Sequence, residues 1–189
     1  MKTNQTLEVI ASRSSIRKYK ATPLSEETID VLKAAAGAAP TAMNAQRLRF
    51  SFVRDQALLE QISEETALAQ ASEAERAALR ERMRARGAKN VFYEAPLVVF
   101  ITSKPYGRGP LDAGIAVENL ALAACSLGLG SCIIACCDRA FEGSAASELK
   151  ARLHMEPEEV FLVAIAIGEK DTEKEPHTVQ DNPFRMIGG

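Results

Sequence analysis

The sequence PLVVFIT at residues 96–102 is a continuous apolar run rich in β-branched and aromatic side chains. A run of this length and composition predicts a strand that is buried on both faces, at the centre of a sheet. Residues 160–167, VFLVAIAI, predict another central strand, and a further strand is expected to begin at residues 133–134. Residues 48–53 alternate between apolar and polar side chains, which predicts a half-buried strand.

Helices are predicted between these strands. Ser25 is expected to cap a helix that ends near Gly37, because its hydroxyl can accept from the first free N–H groups. Residues 55–90 are rich in Ala, Glu, Arg and Leu and predict a helical excursion whose second half presents a solvated, charged face. Asp112 is expected to cap a long helix over 115–127, which is apolar nearly all round. A helix of that kind is buried on most sides, so we expect it to contribute to a subunit interface.

The chain of 189 residues is most simply one domain, residues 1–189, with a polar extended arm at 169–189. The net charge of −2, from 23 basic and 25 acidic residues, gives no global field that would favour nucleic acid or an anionic membrane. The polar start has no apolar signal-peptide core, and no apolar stretch is long enough to span a bilayer. We therefore expect a cytoplasmic protein.

All four cysteines fall within thirteen positions: Cys125, Cys132, Cys136 and Cys137. This distribution differs from a disulfide framework, and its spacing differs from that of zinc ligands. We expect reduced thiols and no metal site. A Cys–His nucleophile pair with His154 or His177 stays formally open, although no spacing supports it.

The glycines at 128 and 130 suggest a dinucleotide fingerprint only superficially. The third glycine is absent, and the predicted order is helix, glycines, strand, whereas the fingerprint requires strand, glycines, helix. A Rossmann fold is therefore excluded.

Residues 12–17 combine two arginines with three serine hydroxyls. Guanidinium forks and hydroxyl donors suit a terminal phosphate, which accepts several short hydrogen bonds. Residues 39–46, APTAMNAQ, form a small turn-prone loop whose amide side chains could recognise the edge of a heterocycle. Together the two stretches predict a phosphorylated cofactor with a flat polar ring. The alternatives are a solvated basic helix end for the first stretch and an ordinary loop for the second.

The same stretches carry a family resemblance. Residues 13–19, RSSIRKY, resemble the opening motif of the FMN-dependent nitroreductase superfamily, and Pro40-Thr41-x-x-Asn44-x-Gln46 resembles its second flavin-binding loop. Residues 112–120, DAGIAVENL, running on to LGLG at 127–130, are similar to the central helix of that family and its exit.

The resemblance implies an α+β fold with a central mixed, mainly antiparallel β-sheet flanked by helices, in an intertwined homodimer. It implies an oxidoreductase that passes hydride from NAD(P)H through the N5 atom of FMN to a small electrophilic acceptor, such as a nitroaromatic compound or a quinone, by a ping-pong mechanism. Few acid–base side chains lie in the motifs, which fits chemistry that the flavin itself performs.

The resemblance also implies the site residues. The phosphate and ribityl chain would be held by Arg13, Ser14, Ser15 and Arg17, with Lys174 as the nearest C-terminal cation. The flavin of the other subunit would be reached by Pro40, Thr41, Ala42, Met43, Asn44 and Gln46. The isoalloxazine would lie along Ile133, Ile134, Ala135 and Cys136, with a backbone N–H of Ala135 or Cys136 near N5. The pyrimidine edge would contact Asn90.

The chain departs from the family pattern at two places. Ser14 stands where the family often has a second basic residue, and Gln46 is followed by Arg47 and Leu48 where Pro-Trp is common. Two alternatives are therefore kept. One is a flavoprotein of this fold with divergent chemistry, as an oxidase, a dehalogenase or a flavin-cleaving enzyme. The other is an FMN-binding dimer without reductase activity.

Overall fold

The structure is a computed structural model that describes residues 3–69, 72–178 and 185–188. Its elements are, in chain order, α1 (Gln5–Ser12), α2 (Glu26–Gly37), β1 (Arg49–Val53), α3 (Gln56–Leu68), α4 (Glu73–Ala85), β2 (Leu97–Ser103), α5 (Gly109–Ser126), β3 (Gly130–Ile134), α6 (Ala146–Arg152) and β4 (Val160–Gly168). Two 3-10 helices lie at Ala42–Asn44 and Asp138–Phe141. The predicted α+β class is confirmed.

The four strands form one sheet in the order β1-β2-β4-β3, and every pairing between them is antiparallel. The sheet is thus mainly antiparallel, as predicted, and its parallel component is a single bridge between Ser15 and Ser131 at the β3 edge. All seven residues of β2 are buried, which confirms the central strand predicted from its unbroken apolar run.

The core lies on both faces of this sheet because successive β2 side chains point to opposite sides. Val98 and Phe100 pack into a cluster that includes residues of α3, α4 and α6. Val99 and Ile101 pack into a second cluster, with residues of α2 and α5. The sheet is therefore the middle layer of three.

The cap predicted for α2 is confirmed, because the Ser25 hydroxyl accepts from the Thr28 N–H at 3.2 Å. The cap predicted for α5 is wrong. This helix begins at Gly109, with Arg108 at the cap position and a proline at its start, so Asp112 lies inside the first turn. Proline favours the first helical position because its missing N–H is not needed there.

The region 55–90 contains α3 and α4, and Leu79 and Met83 bury the inner side of α4 against the core. Beyond β4, the chain is tied back to the N-terminal segment. Tyr19 forms an antiparallel bridge with Lys170, and the Asp171 N–H donates to the Lys18 carbonyl at 3.1 Å. Of the predicted arm at 169–189, residues 179–184 and 189 lie outside the described residues.

Candidate functional site

The arginine–serine segment at 13–17 lies along the edge of β3. Ser15 forms a parallel bridge with Ser131, and the Ile16 N–H donates to the Ser131 carbonyl at 2.9 Å. The Ile16 side chain is buried. A Cβ at Gly130 would come within 2.8 Å of the Ile16 Cβ atom, so the glycine permits this close approach. The sheet edge therefore fixes the backbone from which the two arginines project.

Arg17 lies at the centre of the site. Its guanidinium carbon is 6.0 Å from the ring centroid of Tyr93, which is within the range of a cation–π contact. Its Nε atom is buried and has no hydrogen-bond partner among the described residues. A buried donor without an acceptor is costly, so this atom marks a place where a ligand could accept a hydrogen bond.

The other members of the segment have partners within the chain. The Ser14 hydroxyl donates to the Lys174 carbonyl at 2.8 Å, which places this part of the C-terminal arm beside the segment. Arg13 Nε lies 3.7 Å from a carboxylate oxygen of Glu118 on α5. Ser14 and Lys174, two of the five residues predicted for the phosphate and ribityl chain, are thus in direct contact.

Arg17 and residues 133–136 line the same cavity, of about 140 Å³. We call it the Arg17 cavity. Its remaining lining residues come from β3, α4 and the segment that precedes β2: Cys132, Leu79, Arg82, Met83, Arg86, Val91 and Tyr93. The structure therefore brings together two predicted groups that are more than one hundred residues apart in the sequence.

Positive charge gathers around the inner wall of this cavity. Burial raises the pKa of the Cys132 thiol, whereas the charges of Arg17, Arg86 and Lys174 oppose that rise. The charges of these three residues therefore act in the same direction at Cys132. An anionic or electron-rich ligand placed there would be stabilised by all three.

The loop at 40–46 has an unusual backbone. Met43, Asn44 and Gln46 all have positive φ, at 55°, 51° and 50°, and Met43 is almost fully exposed. The Gln46 N–H donates to the Thr41 hydroxyl at 3.0 Å, and the Gln46 side-chain amide donates to the Asn44 carbonyl oxygen at 2.9 Å. Left-handed conformations in residues other than glycine are strained, and such strain concentrates at functional loops.

This loop does not line the Arg17 cavity. Thr41 and Gln46 border a separate cavity of about 150 Å³ between the loop, α2 and β1. Within the described chain, the two predicted flavin-binding stretches therefore line different cavities.

Asn90 is buried, and its side-chain oxygen accepts from the Phe92 N–H at 3.0 Å and the Glu94 N–H at 3.2 Å. It therefore organises the turn that leads into Tyr93 and Glu94, both of which have positive φ. Its Nδ2 atom is buried without a partner among the described residues. Asn90 does not line the Arg17 cavity.

Four residues of the site and its supports were not predicted as such. Tyr93 contacts two arginines, since the guanidinium carbon of Arg86 also lies 6.0 Å from its ring centroid. Arg82 and Arg86 belong to the charged half of the excursion. Asp112, expected as a cap, instead binds the loop at 40–46 through the Ala42 N–H. The contact predicted for Asn90 drew attention to the segment that contains Tyr93. Nothing in the sequence indicated that Arg17 and Arg86 contact the Tyr93 ring.

Residues 10–169 match the Nitroreductase family. The chain belongs to the nitroreductase family. A relative from Archaeoglobus fulgidus, which carries the provisional name NADH dehydrogenase/NAD(P)H nitroreductase, is 30% identical over 182 residues, covering 95% of each chain.

Solved structures of the nitroreductase family share the whole architecture. A nitroreductase with bound FMN from Desulfitobacterium hafniense has a TM-score of 0.90 and 29% identity, covering 99% of this chain and 100% of its own. A nitroreductase with bound FMN from Bacteroides fragilis has a TM-score of 0.86 and 25% identity, covering 98% of this chain and 100% of its own.

Within residues 3–69, 72–178 and 185–188, no three His, Cys, Asp or Glu side chains are grouped so that they could hold a metal ion. No helix in the described part of this nitroreductase-family chain is long and apolar enough to cross a bilayer.

Proposed function

We propose that this chain is an FMN-dependent oxidoreductase that passes hydride from NAD(P)H to nitroaromatic, quinone or similar electrophilic acceptors by a ping-pong mechanism. Family membership supports the class of enzyme, and the FMN bound to the solved relatives supports the choice of cofactor. When bound, the flavin would supply the hydride chemistry at its N5 atom. The protein would supply binding, orientation and charge.

The residues present fit FMN. Arg17 offers a buried Nε that no described residue accepts from, and Arg13, Ser14, Ser15 and Lys174 offer the charged and hydroxyl donors that a phosphate and ribityl chain require. The Ser14 hydroxyl, which now donates to a backbone carbonyl, can rotate toward a phosphate oxygen. The single observation that carries the proposal is the unpartnered Nε of Arg17 beside the wall formed by residues 133–136.

The wall at 133–136 suits a flat ring. β3 ends at Ile134, which pairs with Ala164, so the N–H groups of Ala135 and Cys136 lie beyond the last ladder pair. We assign to one of them a hydrogen bond to N5. A backbone donor of this kind stabilises charge without titrating, which suits a site with few acid–base side chains.

The proposal includes a homodimer in which the loop at 40–46 reaches the flavin of the partner. The apolar side chains of Leu7 and Ile10 on α1 are about half exposed, at 49% and 51%. Ile10 also borders an apolar groove of about 370 Å³, with Leu122 and Ala123 of α5. This exposed apolar surface on α1 and α5 supports a subunit contact at the groove. α5 is the helix that the sequence predicted at a subunit interface.

The first test is the absorption spectrum of the purified protein, recorded before and after anaerobic addition of NADPH and of NADH. A yellow protein that bleaches with either nucleotide supports a flavin reductase. The acceptor is then tested by adding a nitroaromatic compound or a quinone and following the return of the yellow colour.

Other outcomes would favour the alternatives. Bound FMN that neither nucleotide bleaches would point to a flavin-binding dimer without reductase activity. Turnover that requires oxygen and destroys the flavin would point to divergent chemistry within the family. A colourless protein that cannot be reconstituted with FMN would refute the assignment of the arginine–serine segment.

A further inference from the structure

One face of α4 carries two arginines toward the Arg17 cavity. Leu79, Arg82, Met83 and Arg86 follow one another at intervals of three, one and three residues, so they share a stripe of the helix and its C-terminal cap. All four line the cavity. Leu79 and Met83 are buried and anchor the helix, whereas the side chains of Arg82 and Arg86 are exposed at its mouth.

These two arginines differ from the others on the same helix. Arg76 and Arg80 pair with Glu73, at 3.6 and 3.4 Å, and Arg84 pairs with Glu81 at 3.3 Å. No acidic side chain in the described part of the chain pairs with Arg82 or Arg86. Glutamates of α4 thus pair with the arginines that do not line the Arg17 cavity. The two arginines that line it have no acidic partner among the described residues.

Tyr93 fixes the position of Arg86. The guanidinium of Arg86 donates to the Tyr93 hydroxyl at 3.0 Å and also contacts the ring, which is buried and contacts Arg17 as well. Arg82 stands beside the exposed thiol of Cys136. Desolvation raises the pKa of that thiol, and the charge of Arg82 opposes the rise. The guanidinium groups of Arg17, Arg82 and Arg86 therefore line one cavity, the first from the N-terminal segment and the other two from α4 and its cap.

We propose that a molecule that enters this cavity to exchange electrons carries a carboxylate, sulfonate or phosphate group, which Arg82 and Arg86 bind. This inference rests on the proposed function and specifies its substrate class. A guanidinium without an acidic partner, held at a cavity mouth, gains most from a planar anion that accepts two parallel hydrogen bonds. A neutral nitroaromatic compound or quinone would leave both arginines without an anionic partner.

The anion has two sources. It can belong to the acceptor, as in a nitrobenzoate or a quinone sulfonate, or to the phosphates of the nicotinamide nucleotide, because both substrates of a ping-pong enzyme use one site in turn. The two sources act in different half-reactions, which can be measured separately.

The test uses the full-length protein loaded with FMN and three forms of it. These are the wild type, the double variant Arg82→Gln/Arg86→Gln, and the control Arg80→Gln/Arg84→Gln, which changes two arginines that border the neighbouring cavity instead. Binding of benzoate and of neutral benzamide is measured first, by calorimetry. We expect the wild type and the control to prefer benzoate by about tenfold or more, as for a charge-assisted hydrogen bond, and the double variant to lose that preference.

Rapid kinetics then identifies the source of the anion. Reoxidation of dithionite-reduced protein by 4-nitrobenzoate and 4-nitrobenzamide isolates the acceptor, and reduction by NADH and NADPH isolates the nucleotide. A selective loss for 4-nitrobenzoate in the double variant assigns the anion to the acceptor, whereas slower reduction by the nucleotides assigns it to them. Equal behaviour of all three proteins toward every probe would overturn the inference while leaving the reductase in place. Failure to bind or reduce FMN would instead refute the proposed function, and calorimetry would still show whether the arginines bind benzoate.

Discussion

The carboxylate of Asp112 on α5 accepts the Ala42 N–H, 70 residues away in the sequence, with N···O distances of 3.1 and 3.2 Å. One of its oxygens also accepts the Tyr106 hydroxyl at 2.8 Å. Asp112 is almost fully buried, at 1% exposure. It therefore ties the loop at 40–46 to the start of the central helix.

Replacement of Asp112 by alanine should destabilise the protein. The change leaves the Ala42 N–H and the Tyr106 hydroxyl without their acceptor, and a partly buried donor without a partner costs about 1–3 kcal/mol. Urea unfolding would measure the change in the free energy of unfolding. Asp30→Ala, which removes only an exposed pair with Lys33, is the matched control and should change it much less. Equal effects would refute the role of Asp112.

Arg17→Ala should weaken FMN binding. Loss of one charge-assisted hydrogen bond is worth about 1.5–3 kcal/mol, which raises the dissociation constant by about 10- to 150-fold. Quenching of flavin fluorescence during titration of the apoprotein would measure it. Lys20→Ala removes an exposed charge that pairs with Glu169 and should leave affinity unchanged. Full flavin occupancy in the Arg17 variant would contradict the assignment.

Gly130→Ala should move the arginine–serine segment. The new Cβ would lie 2.8 Å from the Ile16 Cβ and 2.9 Å from the Lys170 Cγ, so Ile16 must shift. Overpacking of this kind costs about 1–3 kcal/mol. We expect a lower melting temperature together with weaker FMN binding. Gly143→Ala meets no atom within 4 Å and serves as the control. If the Gly130 variant kept the wild-type melting temperature and FMN affinity, the close approach of Ile16 to Gly130 would matter for neither.

Tyr106 should make stability fall at high pH. Desolvation and the hydrogen bond to Asp112 raise its pKa to about 12, above the ordinary value of 10.0. A raised pKa means that the unfolded chain releases its proton first, so the stability from this group is complete below pH 10 and is lost as the pH rises toward 12. Tyr106→Phe should show a smaller loss in this window. The chain contains no Trp, so tyrosinate absorbance can be followed directly, and a Tyr106 titration near pH 10 would contradict the contact.

Ile10→Glu should separate the proposed dimer. Ile10 is exposed in the single chain, so the substitution spares the core and places a charge on the apolar surface shared by α1 and α5. Sedimentation velocity should show a shift from dimer to monomer. Lys33→Glu, on an exposed site of α2, is the control for added negative charge. A wild-type protein that sediments as a monomer would remove the basis of this prediction.

The sequence predicted those features that depend on local patterns. The unbroken apolar runs predicted the central strands β2 and β4, and Ser25 predicted the start of α2, because burial and capping leave signals within a few residues. The Asp112 cap was wrong because an aspartate near a helix start has the same local signature whether it caps or reaches a distant loop.

The convergence of Arg17, Tyr93 and Arg86 could not be predicted from the sequence. Alternating charges in α4 indicate a solvated face, and the arginines from position 80 onward are indeed exposed, whereas Arg76 is half-buried. Which of them lack an acidic partner and line a cavity depends on how α4 packs against the segment before β2. That packing is tertiary, so no spacing in the sequence encodes it.

The bridge between Ser15 and Ser131 has a consequence for synthesis. The arginines needed for the proposed cofactor are synthesised more than one hundred residues before their sheet partner and before the Lys174 carbonyl. Chains fold from the N-terminus as they emerge. The proposed cofactor site therefore cannot form on the nascent chain until β3 and Lys174 have been translated, and flavin loading has to follow the synthesis of both.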